Sequence, residues 1–180
     1  MLFDNTVLIV GGTARNVGKT EFVCRLIEKI SANNSVYALK VSAIFPDEGI
    51  YHGDHTGEPE DQHLFEEMRH DTAKDTSRML RAGAKRVFYL RCEDNCILEA
   101  FNRFRNQLPA DTAIVCESNS LAEHVQPGLL IMVTKDKEQI KPRAKERLKH
   151  ADLIVFSDGS SGFKELDQIH SDKNTHWYIK

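Results

Sequence analysis

The chain has 180 residues, 41% of them hydrophobic and 28% charged, with a formal net charge of −3. That length suits one domain with a full core, and the composition is ordinary for a globular protein in water. No global basic field would recruit nucleic acid or an anionic membrane, no apolar run approaches the ~18 residues of a membrane span, and the start of the chain lacks a basic-then-apolar signal segment. Four cysteines (Cys24, Cys92, Cys96, Cys116) are too few for a disulfide framework, and a reducing cytoplasm is the expected compartment. In chain order, residues 6–10 (Thr-Val-Leu-Ile-Val) read as a buried strand, followed by a loop with glycines at its start and near its end. A helix is predicted over 18–30, with Phe22, Val23, Leu26, Ile27 and Ile30 forming its apolar face.

A turn-rich cluster at 31–35 leads to a strand over 36–41 and then to a long polar stretch, 42–62, containing Pro46, Gly49, Gly53, Gly57 and Pro59. A short helix is expected over 63–70 and a better one over 75–82, stopped by Gly83. Then follow a strand (85–91), a helix (93–107) with Ile97, Leu98, Phe101, Phe104 and Leu108 on one face, and a strand (112–116) that delivers Glu117. The remaining elements are a strand at 129–133, a basic helix at 141–150, a strand at 152–156 and an edge strand at 177–179. Apolar strands alternating with helices predict one α/β domain over 1–180, with a doubly wound, mainly parallel sheet. Ligands of such sheets bind beyond the strand C-termini.

The stretch from 6 to 20 has the order of a phosphate cradle: strand, glycine-bearing loop, then Gly18-Lys19-Thr20 opening a helix. Small residues let successive N–H groups turn toward one anion, and the helix N-terminus adds its dipole. The nucleotide contacts are expected from Gly12, Thr13, Ala14, Arg15, Asn16, Val17, Gly18, Lys19, Thr20 and Glu21. Lys19 would reach the β- and γ-phosphates, and the Thr20 hydroxyl would ligate Mg²⁺. A strict Walker A loop has glycine where Thr13 stands; here the glycine is one earlier, at Gly12.

Glu117 follows four apolar residues, the usual place for an acid that holds Mg²⁺ or positions its waters; a strand-end cap is the plainer alternative. Ser118, Asn119 and Ser120 either bond a ligand or form a turn. Lys40 closes the second strand and meets an anion or solvent. Asp75 and Arg78, three apart on a helix, either present a metal-water acceptor and a phosphate clamp on one face or form an intrahelical ion pair. His52, His55, His63 and His70 match no closed metal site and read as solvated histidines. Cys92 and Cys96 lack redox spacing. Neither the segment 134–137 nor Ser157-Asp158 settles adenine against guanine.

Gly12-Thr13 with Val17-Gly18-Lys19-Thr20 resembles the modified P-loop of dethiobiotin synthetase and the cobyrinic acid amidases, within the SIMIBI class of P-loop NTPases. The signature lysine of many of that class falls on Ala14 and is absent. Lys74-Asp75-Thr76-Ser77-Arg78 with Ala82-Gly83-Ala84, in order after Lys40 and the histidine-bearing loop and before Glu117, resembles the MobB family of molybdopterin-guanine dinucleotide biosynthesis adaptors. That resemblance implies a P-loop fold, GTP binding, slow hydrolysis, service to a partner enzyme in cofactor maturation, and a homodimer. The combined expectation is a Mg²⁺-dependent GTP or ATP binder with weak hydrolysis, in which Lys19, Glu117 and Asp75 are the catalytic groups, Thr20 and Glu117 hold the metal, and Lys40 and Arg78 contact phosphate or substrate. An ATP-dependent ligase or kinase of the dethiobiotin synthetase type is the alternative. A third reading is a module that grips nucleotide without hydrolysing it.

Overall fold

Seven strands form the central sheet, in the order β3-β4-β2-β5-β1-β6-β7. They are β1 (Leu2–Gly12), β2 (Val36–Ile44), β3 (Leu64–Glu66), β4 (Val87–Glu93), β5 (Ala113–Glu117), β6 (Val125–Thr134) and β7 (Leu153–Phe156). All neighbours are parallel except β3, which runs antiparallel to β4. This computed structural model describes residues 1–44, 64–136, 140, 142–159 and 162–180. Most of the polar stretch at 42–62, with His52 and His55, lies outside the described residues, as do His63, Lys137, Glu138 and Lys141.

Alternation along the strands makes two cores. Leu8 and Val10 of β1 face α1 (Lys19–Ser31) and α2 (Asp75–Arg81), packing with Phe22, Leu26, Ile27 and Met79. Val7 and Ile9 face the other way, toward Ile97, Phe101 and Phe104 of α3 (Ile97–Arg105). A mostly parallel α/β sheet flanked by helices is what unbroken apolar runs such as Ala113-Ile114-Val115-Cys116, buried at every position, require. The fold is compatible with the doubly wound arrangement, and no helix among the described residues is long and apolar enough to cross a membrane.

Several elements differ from expectation. Residues 64–66 form β3 instead of part of a helix. The open edge of β4 offers unpaired backbone groups, Glu67 N–H donates to Val87 O at 2.8 Å, and Arg86 clamps Glu66 with two bonds of 2.6 and 2.5 Å. The helix expected over 93–107 starts later, because Glu93 still belongs to β4 and residues 94–96 form a 3-10 turn before α3. The final strand, β9 (Trp177–Ile179), is not an edge of the main sheet: it pairs antiparallel with β8 (Ile169–Ser171) in a separate two-stranded sheet. The basic helix expected over 141–150 is α4 (Pro142–Lys149), and His150 lies in a turn beyond its end.

Candidate functional site

β1 runs apolar to its end and then turns through residues 13–18 into α1. The start of that loop is pinned on both sides. Gly12 N–H donates to Asn119 Oδ1 at 2.7 Å, Thr13 N–H donates to Val133 O at 3.0 Å, and the Thr13 hydroxyl donates to Thr134 Oγ1 at 3.0 Å. Val17, buried at 1% exposure, anchors the middle in the α1 core, while Arg15 and Asn16 face solvent. Asn16 (φ 57°) and Gly18 (φ 95°) are left-handed. Left-handed residues interspersed in a turn aim successive backbone N–H groups to one side, the geometry of an anion nest. A Cβ on Gly12 would lie 2.7 Å from Lys19 Cδ and 2.8 Å from its Cγ, so the Lys19 stem crosses directly over that glycine. A Cβ on Gly18 would lie 2.6 Å from Ser157 Oγ, so the segment after β7 abuts the end of the loop.

Beside the loop the C-terminal ends of β1, β5 and β2 bring polar groups together. Glu117, only 5% exposed, ends β5 opposite Val10 on one side and Lys40 on the other. Its Oε2 accepts from the Thr20 hydroxyl at 2.8 Å, and its Oε1 from Lys40 Nζ at 3.0 Å. Lys40 also donates to Asp75 Oδ2 at 2.5 Å. Burial pushes the Lys40 pKa down, but the charge of Glu117 and the bond to Asp75 outweigh it, and the net direction is up from 10.5. The group is therefore an ammonium throughout the neutral range. Arg78 Nη2 donates to Glu21 Oε2 at 2.6 Å and Arg78 Nη1 lies 3.9 Å from Asp75 Oδ1, so α2 is tied to both α1 and β2.

Thr20, Lys40, Asp75 and Glu117 thus form one bonded group, and Arg78 and Glu21 lie at its rim. Lys40 does not close its strand: β2 continues to Ile44, and Lys40 is inside the site because of its register with Glu117. The segment 118–120 divides its roles. Ser118 Oγ accepts from the N–H groups of Ser120 and Leu121 at 3.2 and 3.0 Å, a turn, whereas Asn119 reaches the loop at Gly12. The pairing of Asn119 with Gly12 spans 107 positions, which no local sequence signal encodes. Burial pushes the Cys24 and Cys92 thiols up to about 11, and Cys116 is fully buried.

Comparison with protein families, with curated proteins and with solved structures finds no match. The chemistry of the donors bears on the expected metal. Among the described residues no group of three or more His, Cys, Asp or Glu could hold an ion alone. Thr20, Glu117 and Asp75 supply hard oxygen donors instead. That suits Mg²⁺, which takes one or two carboxylates, keeps several waters and completes its shell with substrate phosphates.

Proposed function

We propose that the chain binds Mg²⁺ with a purine nucleoside triphosphate, GTP or ATP, and hydrolyses it slowly. The observation that carries this reading is the Thr20–Glu117 hydrogen bond, which joins the first turn of α1 to the end of the strand next to β1. It places a hydroxyl and a carboxylate together beneath a loop whose left-handed residues suit an anion. In this reading the N–H groups of residues 14–19 hold the β-phosphate, since the Thr13 N–H is taken by Val133 O, and Lys19, lying over Gly12, reaches β and γ as a point charge. Asn119 fixes the loop start, and in the free protein Lys40, itself bonded to Asp75, holds Glu117 in place. Bound Mg²⁺ would neutralise charge on the phosphates. Positioning and charge neutralisation supply most of the rate in such chemistry. Turnover is slow because Arg78, the nearest guanidinium to Asp75, is already engaged by Glu21.

The order of motifs from the loop through Lys40, 74–84 and Glu117 supports a MobB-like role, an accessory protein acting with a partner enzyme in cofactor maturation, as a homodimer. A ligase or kinase of the dethiobiotin synthetase type shares the loop, and it would show as phosphate release that depends on a second small-molecule acid.

Calorimetric titration with ATP and with GTP, each with Mg²⁺, tests the core of the reading on the wild type and on Lys19→Ala. One nucleotide is expected to bind at about micromolar affinity and to weaken by at least about tenfold in the variant, a loss of about 1.4 kcal/mol. Equal binding by the two proteins, or none by the wild type, overturns it.

A further inference from the structure

Lys40 stands between the two carboxylates of the candidate site. Its ammonium is 3.0 Å from Glu117 Oε1 and 2.5 Å from Asp75 Oδ2, while the other Glu117 oxygen takes the Thr20 hydroxyl at 2.8 Å. Every oxygen group expected to face a metal or its waters is therefore bonded within the protein. The carboxylates are also compensated by cations of the protein: Lys40 bonds both Glu117 and Asp75, and Arg78, 3.9 Å from Asp75, is paired with Glu21 at 2.6 Å. A divalent ion entering alone would have to displace an ammonium from a partly buried pair and would leave the pocket with surplus positive charge. A triphosphate removes both obstacles, since it brings the anion that re-pairs the ammonium, and the four-carbon lysine stem lets that ammonium swing toward it.

We propose that Lys40 is the resident counter-cation of the metal site: its ammonium occupies the place between Glu117 and Asp75 until Mg²⁺ arrives with the triphosphate, so the site takes divalent metal with nucleotide and not before. The second half of this statement rests on the nucleotide reading above. The first half concerns the apoprotein alone, and it is tested there.

The probe is Mn²⁺, followed by its electron paramagnetic resonance signal on the full chain without nucleotide. Lys40→Met leaves two carboxylates uncompensated and is expected to bind Mn²⁺ at least about tenfold more tightly than the wild type. Lys40→Met/Asp75→Asn, with one carboxylate fewer, loses that gain. Wild-type affinity in a folded Lys40→Met protein overturns the proposal. Should Lys40→Met fail to fold, the wild type supplies the measurement through its lysine Nζ resonances, with Lys40 assigned by Lys40→Arg. The Lys40 signal stays unmoved by millimolar Mg²⁺ alone if the ammonium is resident, and its displacement by Mg²⁺ alone overturns the proposal. These arms contain no nucleotide, so they fail or succeed separately from the calorimetry with ATP and GTP.

Discussion

Glu117 and Lys40 show how much of a site one residue position can determine. Glu117 was readable as a candidate-site residue because four apolar residues precede it, and a buried parallel strand delivers whatever follows to its C-terminal edge. Lys40 was readable only as an anion contact or a solvated strand end. Its real setting comes from β2 lying between β4 and β5 in a register that puts it opposite Glu117, and no local pattern encodes that pairing. The pairing has a pH consequence. Burial lowers the Lys40 pKa, Glu117 and Asp75 raise it further, and the folded-state value lies above 10.5, where the unfolded chain releases the same proton. Between those two values the folded protein holds more protons, so stability falls as pH rises. The Lys40 contribution is fully present below the unfolded value and is lost as pH rises through the folded one. The difference in urea midpoint between the wild type and Lys40→Met is therefore expected to be constant from about pH 7 to about pH 10 and to shrink only above that. A difference that shrinks already near pH 8 would mean that the ammonium is not paired as described.

The loop between β1 and α1 was the most legible element, since an apolar run, small residues and Gly18-Lys19-Thr20 all specify the same strand-to-helix turn. The short elements β3, β8 and β9 were the least legible. Three-residue strands are decided by which edge or partner they meet and not by their own propensity. Two glycines of the loop make separable predictions. Gly18 has φ 95°, and a Cβ there would meet Ser157 Oγ at 2.6 Å, so Gly18→Ala combines backbone strain with crowding. It is expected to cost about 1–2 kcal/mol in urea denaturation. Gly12 does not have a left-handed φ, and its Cβ would chiefly meet the Lys19 stem, a flexible chain that can move, along with Val17 Cγ2 at 2.9 Å. Gly12→Ala is thus expected to destabilise less than Gly18→Ala while weakening triphosphate binding about as much as Lys19→Ala, about tenfold. Unchanged binding by Gly12→Ala in calorimetry would show that Lys19 does not reach its phosphates from across that glycine.

At the scale of the molecule, the last eighteen residues close the core on the α1 face of the sheet. Phe163 packs edge-on against Phe22 with ring centroids 5.1 Å apart, Ile169 is fully buried, and Trp177 Nε1 donates to Thr6 O at 2.8 Å, on the interior strand β1. Lys29 of α1 holds this segment by its backbone, donating to Leu166 O at 2.5 Å and to Ile169 O at 3.0 Å. The chain's end is therefore part of the same cooperative structure as the loop at its start, because Phe22 lies one turn into the helix that the loop opens. Lys29→Met keeps most of the aliphatic stem and removes both charge-assisted bonds, so the loss is expected to be about 2 kcal/mol, within the range for hydrogen bonds to charged groups. Trp177 is the chain's single tryptophan, which makes its emission a direct reporter of this docking. In Lys29→Met the emission is expected to shift to the red, and its urea transition to move to lower denaturant together with far-UV circular dichroism, as one transition. A tryptophan transition that separates from the dichroism would show the segment to be an independent flap. An emission and midpoint unchanged from the wild type would show that Lys29 does not hold the segment at all.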